Sequence, residues 1–384
     1  MNLSFSFFDS RVVNGARVKQ AREQALLTQA ELAKLVSVSQ PMIAHIEQGL
    51  KQCSRELAER ISGKTGTRLE FLYQPSGPTL PFGSMLFRAR ADVSAKKLSQ
   101  TYSFATSVLQ IFQHLASHFD LPTVKLRPVE GTPEEAASQT RGLLGLDPTR
   151  PIPHLMRAFE KLGGIILSLP ELPGREAFAV WEGNRPVVGV GPSESGDRLR
   201  FSMAHEIGHL ILHNSPTAKA TAEREAYRFA GELLAPKGAF TDDVAGLLTI
   251  EKLGRLKQKW GISMAAILYR ARELNLISRR VHERLIIELT PFRTREPQGY
   301  DIPLEKPRAL RQMAEMLYGS TMQVERIADD LALSVPFVRA TLDRYAGEDD
   351  IAASSRRRKV ISIQTARRKR RSKESYSNLT ESAI

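Results

Sequence analysis

Two histidines, His205 and His209, stand four residues apart in the stretch RLRFSMAHEIGHLILHNS. This spacing constrains the fold more than any other feature, because residues i and i+4 are close neighbours on one face of an α-helix, whereas on a β-strand they are about 13 Å apart. Most of the surrounding residues are apolar, including Phe201, Met203 and Ile207, which indicates a buried helix. Imidazoles that face a buried carboxylate need hydrogen-bond partners or a metal ion to offset desolvation. The chain is therefore predicted to contain a buried helix with a potential ion site.

Glu206 directly follows the first histidine, so the stretch has the pattern HExxH. In this pattern two histidines bind one Zn²⁺ ion and the glutamate acts as general base on a water that the metal activates. A zinc hydrolase site also needs a third protein ligand and an open fourth position. In TAEREAYRFAGELLAP, Glu223 lies on the apolar face that includes Ala226, whereas Glu225 is turned away from it. We therefore predict His205, His209 and Glu223 as metal ligands and Glu206 as the catalytic base.

His213 continues the histidine stripe by one more turn. A ligand a full turn further along a straight helix is hard to bring to the same ion, so we interpret His213 as supporting the site. The alternative for the whole motif is a structural one, in which the histidines hydrogen-bond within the core and bind no metal.

The net charge of +13 over 384 residues is concentrated in two segments. Residues 11–65 contain nine lysines and arginines against five glutamates, and residues 351–384 contain ten against two, which leaves the middle of the chain nearly neutral. Basic segments are typical of nucleic-acid contact. The single cysteine, Cys53, cannot form an internal disulfide, and no segment has the length of a membrane span or the pattern of a secretion signal. We expect a cytoplasmic protein with no membrane contact.

The N-terminal basic segment, residues 11–72, has the pattern of short capped helices. Thr28 and Glu31 form a capping box, and a brief turn leads to Ser39, which can cap a second helix with Pro41 in its first turn. Two short helices joined by such a turn place the second helix in the DNA major groove. The alternative is a helical bundle that binds protein.

The run TQAELAKLVSVSQPMIAHIEQG resembles the helix-turn-helix domain of the phage-repressor type, the XRE family. The resemblance implies that Gln29 and Gln40 contact phosphates or base edges, and glutamine suits bidentate adenine recognition. We assign Ser39, Met42 and His45 to the same DNA-binding surface. Two departures from the family are Ser37, where Gly is usual in the turn, and Pro41, which replaces a polar residue.

A linker rich in proline and glycine is predicted over residues 73–93, followed by a domain over 94–290. Three helices are expected first, and then three short strands in GIILSL, EAFAVWEG and RPVVGVG. With the N-terminal all-α domain and a helical C-terminal region, the predicted class is mainly α with a small β-sheet (α+β).

The blocks PEEAASQTRGLLGL, PIPHLMRAFEKLGGIIL, DRLRFSMAHEIGHLILH and EREAYRFAGELLAP resemble the ImmA/IrrE family of zinc metallopeptidases. The resemblance covers roughly residues 130–240 and implies the same ligands and base. The chain departs from the family pattern at Tyr227, where the family generally has Asn or Asp. Family members with an assigned role cleave repressors or regulate stress responses and mobile elements, and the fused order is a known regulator arrangement. We expect a transcriptional regulator that binds an operator as a homodimer and cleaves a protein substrate; the alternative is a transcription factor or antitoxin whose peptidase fold only senses a ligand or partner.

The C-terminal quarter carries weaker signals. Residues 291–350 are predicted to be helical, and TMQVERIADDLALSVPFVRATLDRY allows either a second helix-turn-helix or a small helical cap. The basic tail, residues 351–384, is expected to be disordered and to add salt-dependent phosphate contacts, or to serve only solubility.

Overall fold

The computed structural model describes residues 12–81, 93–213, 218–292, 296–297, 299–319 and 323–347. The predicted basic tail, residues 351–384, lies outside the described residues. The predicted class is confirmed, because helices dominate and one small sheet is present. None of the helices in the described ranges is both long and apolar enough to cross a membrane.

The helices fall into an N-terminal group, a long connecting helix, a central group and a C-terminal group. In chain order they are α1 (Gly15–Gln24), α2 (Gln29–Leu35), α3 (Gln40–Glu47), α4 (Arg55–Thr65), α5 (Ala95–Ala116), α6 (Pro133–Leu143), α7 (Leu155–Lys161), α8 (Gly196–Leu212), α9 (Lys219–Leu234), α10 (Lys237–Val244), α11 (Ile250–Trp260), α12 (Met264–Glu273), α13 (Arg279–Leu289), α14 (Ala309–Tyr318), α15 (Val324–Asp330) and α16 (Val335–Leu342). Short 3-10 turns follow α4 (Leu69–Tyr73) and α13 (Thr290–Phe292).

Local signals explain where the N-terminal helices begin and end. The predicted capping box at the start of α2 is present, with the Thr28 hydroxyl accepting from the Glu31 amide and the Glu31 carboxylate accepting from the Thr28 amide. Ser39 is the residue before α3, as predicted, but its hydroxyl makes no capping hydrogen bond within the described residues. Ser37 in the turn between the two helices has a φ of +55°. This left-handed conformation explains why related domains use glycine there.

The sheet has the strand order β1-β3-β2, with β1 at Ile165–Ser168, β2 at Ala177–Glu182 and β3 at Arg185–Val190. β1 pairs parallel with β3, while β2 and β3 form a two-residue hairpin in which Glu182 opposes Arg185. Both faces of the sheet are buried, and because successive side chains point to opposite faces, the sheet separates two hydrophobic cores.

One of these cores is shared between the N-terminal domain and the rest of the chain. It contains side chains from α1 to α4, from α5, from one face of the sheet and from α14 to α16. The contact between α1 and α5 is polar as well: Gln20 donates to the Thr106 and Ser107 hydroxyls at 3.1 and 2.9 Å, and Arg17 donates to Gln110 at 2.9 Å. The start of the predicted linker is packed here too, since Leu80 is buried. The N-terminal domain is therefore part of a continuous structure.

Candidate metal centre and DNA-reading helices

The predicted site lies where α8 and α9 pack against each other. A side chain at Gly208 would meet the Phe229 ring at 2.9 Å, so the glycine allows α9 to approach α8 closely. Phe229 is fully buried at this contact. The close approach places Glu223, near the start of α9, beside the histidines of α8.

His205, His209 and Glu223 converge, with one potential ligand atom from each lying within 4.8 Å of the others. The two Nε2 atoms are 3.1 Å apart, and the Glu223 carboxylate oxygens lie 3.2 Å from His205 Nε2 and 3.5 Å from His209 Nε2. Ligands about 2.0–2.1 Å from a tetrahedral zinc ion are separated by roughly 3.3 Å, which these separations match. Two neutral imidazoles and one carboxylate are also the donor set of hydrolytic zinc sites. The residues therefore fit a zinc ion, and their assignment as ligands stays a prediction.

Glu206, the predicted base, is buried and lines the same cleft as His205 and Glu223. The cleft has a volume of about 790 Å³ and runs between α8, α9 and the residues that lead into β2. Its lining includes Ser202, which donates to Glu176 at 2.9 Å, and Arg198, which pairs with the same carboxylate at 3.3 Å. A space of this size can admit an extended segment of polypeptide beside the three converging side chains.

His213 lies behind the site. α8 ends at Leu212, and the His213 ring folds back so that its Nδ1 lies 3.0 Å from His209 Nδ1, while its Nε2 lies 3.1 Å from Glu225 Oε2. If His209 binds an ion through Nε2, its Nδ1–H donates to His213, and the Nε2–H of His213 then donates to Glu225. Glu225 lies outside the three-residue cluster, as its position on α9 predicts, but its contact with His213 has no local sequence signal.

Tyr227, the residue at which the chain departs from the resembling family, stands over the site. Its ring centroid is 4.6 Å from that of His205 and 5.8 Å from that of Phe201. The side chain is 58% exposed and lines the cleft, so it contacts the His205 imidazole from the solvent side.

The N-terminal half of α8 is anchored by buried charges that sequence reasoning missed. Arg200 pairs with Glu305, and the same carboxylate lies 3.1 Å from His154 Nδ1 and accepts from the Met156 amide at 2.9 Å. Burial alone would raise the pKa of Glu305, but the hydrogen bond from His154 and the charge of Arg200 outweigh it and lower the pKa to about 2. Glu305 lies 105 residues from Arg200, so no local pattern could have paired them.

The predicted DNA-reading surface is on α2 and α3. Gln40, Ser39 and His45 are exposed, whereas Gln29 and Met42 are half-buried. The inward positions predicted for Ile43 and Ile46 are confirmed, since both side chains are fully buried.

A chain of hydrogen bonds orients the glutamines. Gln40 donates to the Gln29 side-chain oxygen at 2.8 Å, and Gln29 donates to Glu47 at 2.8 Å. Arg22 binds both Glu47 oxygens, at 2.5 and 3.0 Å, and both side chains are nearly buried. Arg22 and Glu47 were not predicted, although their opposite charges on neighbouring helices were a weak signal. They position Gln29, and through it Gln40, before DNA is bound.

The fold and the site together define a class of protein in which a helix-turn-helix domain is joined to a metallopeptidase-like domain. Comparison with family models gives the particular families: residues 18–72 match the Helix-turn-helix model, and residues 166–272 match the IrrE N-terminal-like domain of the M78 peptidases. The chain is a fusion of an XRE-type helix-turn-helix domain with an IrrE-like domain. Among curated proteins, the comparison finds no match to the chain.

Proposed function

We propose that the chain is a DNA-binding transcriptional regulator whose IrrE-like domain is a zinc endopeptidase that cleaves a repressor or another regulatory protein. The observation that carries the proposal is the convergence of His205, His209 and Glu223 at zinc-ligand separations, with Glu206 beside them in an open cleft. The exposed Gln40 on α3, held in place by Gln29, supports operator recognition.

His205, His209 and Glu223 would hold the ion, which when bound supplies Lewis acidity toward a substrate carbonyl and water. Glu206 is placed to take a proton from the attacking water and to return it to the departing amine. The cleft beside α8 holds the substrate segment in line with these groups. Burial of Glu206 and His209 limits competition from bulk water.

The helix-turn-helix domain would bring this activity to an operator, with α3 in the major groove. We propose a homodimer on DNA, because such domains bind two half-sites about one helical turn apart. Light scattering of the chain with and without a palindromic duplex measures the stoichiometry, and a single chain per duplex would contradict the dimer.

The decisive experiment compares the wild type with Glu206→Gln, which keeps the shape of the side chain and removes the base. Both proteins are purified, their zinc content is measured by mass spectrometry, and each is incubated with a lysate of the source cells. New protein N-termini are then identified by amine labelling. We expect equal zinc content and cleavage products only with the wild type. Identical products from both proteins would refute the peptidase proposal.

A second candidate function is a regulator in which the peptidase fold only senses a ligand or partner. The position of Tyr227 favours it, because the ring partly covers His205 where the resembling family has a small polar residue. This hypothesis expects normal promoter control in the Glu206→Gln variant. Loss of control in that variant, with zinc content and DNA affinity unchanged, would exclude it.

A further inference from the structure

The C-terminal helices repeat the geometry of the N-terminal helix pair. Adding 295 to the residue numbers of α2 and α3 gives the residue numbers of α15 and α16. The first and last residues of both helices match under this shift. The same shift relates the two left-handed residues in the turns, Ser37 with a φ of +55° and Ala332 with a φ of +51°. It also relates the serines that precede α3 and α16 and the prolines in their first turns.

Hydrogen bonds and burial follow the same correspondence. The turn amides of Val38 and Leu333 bond back to the carbonyls of Ala33 and Ala328, at 3.0 and 2.9 Å. Most buried apolar positions also correspond, as Ile43 does to Val338, while Ile46 corresponds to the buried but polar Thr341. The lead helices α1 and α14 are both ten residues long, and both pack against α5. Residues 309–347, of which 320–322 lie outside the described residues, are therefore a second helix-turn-helix, hereafter the C-terminal unit.

The side chains that would read DNA differ between the two units. Gln40, Met42 and His45 on α3 correspond to Val335, Phe337 and Ala340 on α16, which cannot form side-chain hydrogen bonds to base edges. Residues 309–347 contain four arginines against five acidic residues, whereas residues 11–65 have a net charge of +4. Attraction to the phosphate backbone is therefore weaker for the C-terminal unit.

The turn of the C-terminal unit faces the protein. Ser37 is exposed, but Ala332 and Leu333 are buried. Asp329 pairs with Arg68 of the first domain at 2.6 Å, and the Phe337 ring stacks on Phe104 of α5 with centroids 5.9 Å apart. A helix whose first turn is covered in this way cannot enter a groove of DNA.

The other end of the C-terminal unit binds the IrrE-like domain. The Tyr345 hydroxyl donates to the Ile166 carbonyl at 2.8 Å and accepts from the Ser168 amide at 3.1 Å, so it occupies the outer edge of β1. At the start of α14, the amides of Arg308 and Ala309 donate to Glu160 of α7.

We propose that the C-terminal unit is a second helix-turn-helix whose partner is the DNA-reading domain of its own chain, and that it fixes this domain to the IrrE-like domain. Phe337, which corresponds to Met42 on the predicted DNA-binding surface, here contacts Phe104, and Asp329 of the same unit pairs with Arg68. One end of the C-terminal unit contacts the N-terminal DNA-reading domain and the other end contacts β1 of the IrrE-like domain. The two domains therefore move as one body.

The first test uses two matched substitutions at equivalent exposed positions, His45→Glu on α3 and Ala340→Glu on α16. Binding of the full chain to a 30-base-pair duplex is measured by fluorescence anisotropy over a range of salt concentrations. Because this test rests on the proposed DNA binding, we expect His45→Glu to weaken binding about tenfold or more and Ala340→Glu to change it less than about twofold. Equal weakening by both substitutions would show that the C-terminal unit binds DNA and would overturn the proposal.

The second test does not depend on DNA binding, so it decides the proposal even if neither substitution affects the duplex. Hydrogen exchange is measured in the full chain carrying Phe337→Ala, with Ala340→Glu as the control on the exposed face of the same helix. We expect exchange about tenfold faster over residues 65–73 and in α5 near Phe104, and no change over α8. Unchanged exchange over residues 65–73 would overturn the proposal.

If Phe337→Ala unfolds the C-terminal unit, the pair between Asp329 and Arg68 supplies a milder variant. Asp329→Arg should speed exchange over residues 65–73, and the added substitution Arg68→Asp should restore it. Failure of the double variant to restore slow exchange would mean that this contact does not join the two units.

Discussion

Removal of the His213 side chain is expected to weaken zinc binding without removing a ligand. His213 Nδ1 is 3.0 Å from His209 Nδ1, and its side chain is only 7% exposed. The His213→Ala substitution leaves the buried Nδ1–H of His209 without this acceptor. An unsatisfied buried donor costs about 1–3 kcal/mol, and each 1.4 kcal/mol corresponds to about a factor of ten in affinity. We therefore expect zinc affinity to fall about 10–100-fold, the range typical of residues that orient a metal-bound histidine.

The assay is a titration of the metal-free chain with Zn²⁺ in competition with a chromophoric chelator at neutral pH. Glu225→Gln should have a smaller effect, because its amide oxygen can still accept from His213. His118→Ala is the matched control, since His118 is exposed in the turn that follows α5. Wild-type affinity in a folded His213→Ala variant would refute the reasoning. A loss as complete as that of His209→Ala would instead mean that His213 is itself a ligand.

Four further predictions concern DNA reading and stability. Gln40→Ala should reduce discrimination between the operator and a mismatched duplex by about 1–3 kcal/mol, measured by anisotropy. Glu47→Ala should destabilise the fold by about 1.5–3 kcal/mol in chemical denaturation, because it removes the hydrogen bonds between Arg22 and Glu47 and leaves Arg22 with only the more distant Glu23 carboxylate, at 3.8 Å. Ser37→Gly should stabilise it by about 1 kcal/mol, since glycine adopts the left-handed conformation without strain. Burial raises the pKa of Glu160 to about 7, so the folded chain binds this proton more tightly than the unfolded chain does. The stability of the wild type relative to a Glu160→Gln variant should therefore fall by about 2 kcal/mol as the pH rises from 5.5 to 8.

Each of these predictions has an outcome that contradicts it. Uniform weakening on all duplexes by Gln40→Ala would mean that the side chain contacts phosphate and does not read bases. Equal stabilities of the wild type and Glu47→Ala would show that the ion pair contributes nothing net. A destabilising Ser37→Gly would mean that the hydroxyl matters more than backbone strain. A Glu160→Gln difference that stays constant with pH would show that Glu160 titrates at its ordinary value.

The features that could be predicted from sequence are those formed by residues close together in the chain. Thr28 and Glu31 of the capping box are three positions apart, and the two histidines of HExxH are four positions apart, so helical geometry alone brings the partners together. The three strands were predictable because both faces of the sheet are buried and each strand is a short apolar run. Glu223 was selected from the apolar face of α9, and the structure places it beside both histidines.

Other features depended on contacts between residues distant in the chain. The hydrogen bond from His213 to Glu225 needed α8 to end at Leu212, and the pairing of Arg200 with Glu305 needed the segment before α14 to reach α8. Tyr227 was visible in the sequence as a departure, but its position over His205 was not.

The amino-acid sequence by itself determined two helix-turn-helix patterns, one strong and one faint, and a helix with two histidines on one face. Only the tertiary structure decided that the first helix pair faces outward and the second faces the protein. The physical reason is that both pairs satisfy the same local rules of capping, turn conformation and apolar spacing. The difference is that Ser37 is exposed whereas Ala332 is buried in the core that also contains α5, and this depends on packing between elements distant in the chain.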